Sequence, residues 1–147
     1  MTPTELHTLV RGWWEEMRDT ARAATPGPWA VFDANEGTSS PAGWMVANDA
    51  FHNPSGDDAP WIAVEIHTGG VEDADHIAAF DPSFAIAACE AALERLDRHK
   101  PLMADTRRPR CWYSGDEWRW PCVEFLSDAA PFRTRPDFPE ELSRDRT

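Results

Sequence analysis

Four side chains of the kind that bind metals or move protons fall between positions 67 and 76: His67, Asp73, Asp75 and His76. Two imidazoles and two carboxylates this close could hold a divalent ion or run general acid–base chemistry on a small molecule. Their spacing matches no motif with a known mechanism. The simpler reading places the acids at a helix start, where the dipole favours them, with His76 in a local hydrogen bond. A second group is aromatic and basic: Trp112, Tyr113, Trp118, Arg119 and Trp120, with Arg110 beside them. Aromatics interleaved with arginine are the makings of a protein-binding hot spot. They could also stack on a ring while arginine takes a phosphate, or pair across a hairpin only to stabilise it. There is no phosphate-binding glycine loop, no G-x-S-x-G, no H-E-x-x-H and no dinucleotide fingerprint.

The chain has 147 residues, a length that fits one domain around one core. Its net charge is −12, and the excess is uneven: residues 1–100 carry 17 acidic and 6 basic side chains, against 9 and 8 in residues 101–147. Such a surface repels phosphate backbones, so direct nucleic-acid binding is not expected, whereas a basic protein face could meet it. No apolar run is long enough to cross a bilayer, and Met1–Glu5 does not open a secretory signal. Three cysteines, Cys89, Cys111 and Cys122, do not make a disulfide framework. A cytoplasmic protein that uses no membrane is the expectation. Thirteen arginines stand against the single Lys100, a bias that GC-rich coding produces and that folding does not require.

The elements that position these groups follow from local patterns. Thr2-Pro3-Thr4-Glu5 is a capping box with proline at the first helical position. Leu6, Val10, Trp13 and Met17 then form one apolar stripe, and the helix stops at Thr25-Pro26-Gly27-Pro28. Strands are expected at 29–32, 43–47 and 61–67, with an exposed loop at 52–60. A short helical segment at 73–80 precedes Asp81-Pro82, which caps a helix running to about His99. Ile86, Cys89, Leu93 and Leu96 form its seam, widened by Phe84, Ala88 and Ala91. Residues 111–120 read as a hairpin turning at 114–117. Residues 131–147 read as a Pro-, Arg- and acid-rich tail with a short helix at Pro139–Leu142. The expected fold is therefore α+β: two main helices on a small, mostly antiparallel sheet within 1–130, followed by a C-terminal tail.

Two stretches carry a family resemblance: Ala24-Thr25-Pro26-Gly27-Pro28-Trp29, and Ala74-Asp75-His76-Ile77-Ala78 followed by Asp81-Pro82 and a long helix. With Pro121-Cys122 and the Phe125–Phe132 stretch, their order resembles a family of small actinobacterial and actinophage proteins, a domain of unknown function. The resemblance implies a phage or prophage accessory gene and carries no established activity. It also implies a zinc-like pattern, C-x-x-C-G upstream of an aromatic-Pro-Cys. Here Cys111 and Cys122 are kept and Ser114 stands at the second cysteine position. Together with His99 they offer three ligands, and three without a fourth make a poor structural zinc site. Two reduced thiols close together, able to oxidise to a disulfide, are the simpler expectation.

The reading that best covers these features is a non-enzymatic cytoplasmic protein that binds a host protein and needs no cofactor. A small-molecule or metal-binding protein using His67–His76 and a minor phage structural protein are the alternatives.

Overall fold

The computed structural model describes residues 1–24, 27–33, 44–48, 64–66, 71–102, 109–113 and 120–143. The fold is α+β, with elements in the order α1 (Pro3–Ala23), β1 (Trp29–Asp33), β2 (Trp44–Asn48), β3 (Val64–Ile66), α2 (Val71–Ala79), α3 (Pro82–Arg98), β4 (Pro101–Leu102), β5 (Arg110–Cys111), α4 (Val123–Ala129) and α5 (Glu140–Ser143). A 3₁₀ turn, Ala130–Phe132, follows α4 directly. Contacts divide the chain into two compact units: Met1–Met17 with Cys89–Thr147, and Arg18–Ala88.

The first unit is mainly helical. The capping box at its start forms as expected: the Glu5 carboxylate accepts from the Thr2 N–H at 2.6 Å, and the Thr2 hydroxyl accepts from the Glu5 N–H at 3.3 Å. Leu6, Val10, Trp13 and Trp14 are buried on α1, whereas Met17 is exposed. Trp14 thus takes the place in the stripe expected for Met17, because its indole N–H donates to the Asp128 carbonyl at 2.9 Å and its ring meets Phe132 edge-on at 5.1 Å. On α3 the buried face is Cys89, Ala92, Leu93 and Leu96, while Phe84, Ala88 and Ala91 are exposed. Phe125 of α4 is fully buried, between Trp120 at 4.7 Å and His7 at 6.0 Å.

The short helix expected near Pro139–Leu142 is present as α5. The segment leading to it does not trail away as an extended tail. Phe132 and Leu142 are buried in the first unit's core, with Phe138 packed against it, and Trp13 meets Phe132 at a tilt (5.2 Å) and stacks on Phe138 (5.9 Å). Its proline- and charge-rich composition conceals three apolar anchors, two of which meet Trp13 near the other end of the chain.

The second unit holds a three-stranded antiparallel sheet in the order β1–β2–β3. In backbone register Trp29 pairs with Asn48 and Asp33 with Trp44 across β1 and β2, and Val46 pairs with Val64 across β2 and β3. Short α2 packs on β1 and β2, burying Ala74 completely. The N-cap of α3 is Asp81, whose Oδ1 accepts from the Phe84 N–H at 2.8 Å. The peptides Gly27–Pro28 and Trp120–Pro121 are cis.

Candidate functional site

Three segments of the first unit meet behind α3. Pro101 and Leu102 leave the helix as β4 and pair antiparallel with Cys111 and Arg110 of β5. The Trp112 N–H donates to the Lys100 carbonyl at 3.0 Å, and the Trp120 N–H donates to the Pro109 carbonyl at 2.8 Å. The strand partner described for Arg110–Cys111 is therefore 101–102. The turn expected at 114–117 lies outside the described residues, as do Trp118 and Arg119. Cys122 sits immediately before α4, and its carbonyl accepts from the Leu126 N–H at 3.0 Å.

This routing brings together His99, Cys111 and Cys122, residues 12 and 23 apart in the chain. All three are buried, at 6%, 0% and 3% exposure. His99 Nδ1 lies 3.3 Å from Cys111 Sγ and 3.5 Å from Cys122 Sγ. Their candidate donor atoms all fall within 4.8 Å of one another, and among the described residues this is the one group of three or more with metal-ligating geometry. The sulfurs are unbridged. Trp120 closes the floor of the cluster: its indole N–H donates to the His99 carbonyl at 3.2 Å. Tyr113 lies over the His99 ring at 5.2 Å, and the Glu124 carboxylate comes within 4.0 Å of His99 Nδ1.

Burial pushes the Cys122 thiol up to about 12, and neighbouring Cys111 adds to that, while the Phe125 N–H pulls the other way. A thiol held protonated is a weak nucleophile at neutral pH. Without a metal, Cys122 is thus a poor candidate for a covalent nucleophile.

The aromatic group divides sharply. Trp112 and Tyr113 are 59% and 68% exposed. Trp120 was expected to share their surface, but it is only 3% exposed, because its ring fills the core against Phe125 and its N–H is spent on His99. Lys100 places its ammonium 5.4 Å above the Trp112 ring.

The His67–His76 group is not assembled among the described residues. Asp73, Asp75 and His76 are all exposed on α2, His76 packs against Phe80 at 4.8 Å, and His67 lies outside the described residues.

Glu124 is the residue that sequence reasoning missed. The available signal was its place two positions after Cys122, in the first turn of a helix.

A family model covers residues 6–143 and describes a family of unknown function, DUF6221. The chain belongs to this family. No curated protein and no solved structure matches it. In this DUF6221 member the matched span includes the whole His99–Cys111–Cys122 cluster, the exposed Trp112–Tyr113 pair and the apolar anchors Phe132 and Leu142. No helix among the described residues is long and apolar enough to cross a membrane.

Proposed function

We propose that this protein is a non-enzymatic accessory protein, encoded by a phage or prophage, that binds a host protein in the bacterial cytoplasm through the corner formed by Trp112 and Tyr113. The observation that carries this reading is the contrast along three consecutive residues: Cys111 is fully buried, and the two large aromatics after it stand in solvent. Exposed tryptophan and tyrosine on a braced backbone match the composition and placement of binding hot spots. The corner is held by the Trp112–Lys100 main-chain bond, by Lys100 over Trp112 and by His99 under Tyr113. Such bracing lowers the entropy cost of ordering an aromatic anchor on association. The net charge of −12 favours a protein partner with a basic face over a nucleic acid. The phage or prophage origin rests on the resemblance of the 24–29 and 74–82 motifs to small actinophage proteins.

The test is affinity capture from host lysate, quantified by mass spectrometry, with the wild type and a Trp112→Ala/Tyr113→Ala double variant of matched thermal stability. One host polypeptide enriched by the wild type and lost with the double variant is the expected result. Equal enrichment by both proteins, or none by the wild type, contradicts the reading.

A further inference from the structure

We propose that His99, Cys111, Cys122 and Glu124 form a four-ligand zinc site. This stands apart from the binding reading and rests on the geometry of the cluster alone.

Two thiols converge on a single imidazole nitrogen, His99 Nδ1, at 3.3 and 3.5 Å. A single metal ion accounts for one nitrogen and two sulfurs gathered this closely in the buried core. Zinc held tetrahedrally, with Zn–S near 2.3 Å and Zn–N near 2.05 Å, sets its nitrogen and sulfur donors roughly 3.6 Å apart. Both observed separations lie close to that edge length.

The candidate for the fourth ligand comes from the first turn of α4. Glu124 places Oε2 4.0 Å from the same nitrogen, and its side chain is 52% exposed, so the carboxylate is free to swing inward. A tetrahedral nitrogen–oxygen edge is about 3.4 Å, so ligation asks the Glu124 carboxylate to close in on the other three donors at the end of a flexible side chain. Two thiolates, a neutral imidazole and a carboxylate give a donor set that zinc accepts, and the soft sulfurs disfavour magnesium and calcium. The Trp120–His99 carbonyl bond fixes the backbone behind the ligand. On binding, each thiol that ligates loses its proton to solvent, so uptake is accompanied by acid release.

The experiment is titration of the reduced, chelator-treated full-length protein with Co²⁺ as a spectroscopic probe, followed by displacement with Zn²⁺. The expected result is one Co²⁺ per chain, with the intense thiolate-to-cobalt charge-transfer band and tetrahedral d–d bands, both abolished by one equivalent of Zn²⁺. Cys111→Ser/Cys122→Ser should remove the charge-transfer band. Glu124→Gln replaces an exposed side chain and should leave the fold intact by circular dichroism, so it guards against a cysteine variant that fails to fold. It should weaken Zn²⁺ binding about tenfold or more in competition with a colorimetric chelator. Absence of the charge-transfer band in the wild type overturns the site. An unchanged Zn²⁺ affinity in Glu124→Gln overturns the assignment of Glu124 as its fourth ligand.

Discussion

Gly27 lies directly against the carboxylate of Asp81: a Cβ at position 27 would overlap that carboxylate, 2.8 Å from its Cγ. The two residues belong to the two short motifs that first gave the chain its family resemblance. The relationship gives each motif a folding role, since Asp81 caps α3 through the Phe84 N–H and Gly27 leaves that carboxylate room.

Asp81→Ala should therefore destabilise the protein by about 1 kcal/mol through loss of the cap. Gly27→Ala should cost a similar amount by displacing the same carboxylate, and the double variant should cost less than the sum, with a coupling of about 0.5 kcal/mol or more. Denaturant midpoints of the four proteins in the cycle give the coupling directly.

Asp128 is a buried carboxylate answered by one guanidinium. Arg95 Nη2 and Nε approach its Oδ1 at 2.6 and 3.1 Å, and the Asp128 side chain is 5% exposed. Arg95→Met keeps the aliphatic stem and strands the charge, at an expected loss of about 2–3 kcal/mol. Arg95→Lys should lose less, since it keeps the charge and forfeits the fork. Urea unfolding of the two variants against wild type checks the order.

The segment after Ala130 is part of the core. Phe132→Ala should cost about 3–5 kcal/mol, because it empties the space between Trp13 and Trp14. Truncation at Pro131 should remove the cooperative unfolding transition of the first unit, seen as loss of the native tryptophan fluorescence change on heating. A truncated chain that unfolds like the full one contradicts this packing.

What the sequence revealed and what it hid divide along a physical line. The Thr2–Glu5 capping box, the Asp81 cap, the ends of α1 and α3 and the strands at 29–33 and 44–48 were legible, because each is decided by residues within a few positions of one another. The choice of Trp14 over Met17 was not, since both fit a helical stripe and only Phe132 and the Asp128 carbonyl decide between them. Trp120 read as surface for the same reason: the carbonyl of His99, 21 residues away, takes its indole N–H. The cysteines and His99 were visible as ligand types. Their convergence on one nitrogen needed the β4–β5 pairing, and Glu124 needed the start of α4.

The pH dependence of stability follows from Cys122. Its folded value is raised by burial from the ordinary thiol value of 9.0 to about 12. A raised value means that the folded state holds its proton more tightly than the unfolded chain. The thiol's contribution is thus fully present below pH 9.0 and is lost as pH rises through about 12. In protein kept metal-free with chelator, stability should fall across that window, and Cys122→Ala should flatten the decline. Equal slopes for the two proteins in alkaline denaturation curves would sink this account of Cys122.

The central claim, that the Trp112–Tyr113 corner is where a partner docks, is tested most directly by photo-crosslinking. A benzophenone amino acid is placed at position 112 and, in a separate protein, at Phe84, another exposed aromatic position at 52% exposure. Both proteins are irradiated in host cells. One dominant adduct to a host polypeptide from position 112, absent from position 84, is the predicted result. The same adducts from both positions, or none from position 112, would contradict it.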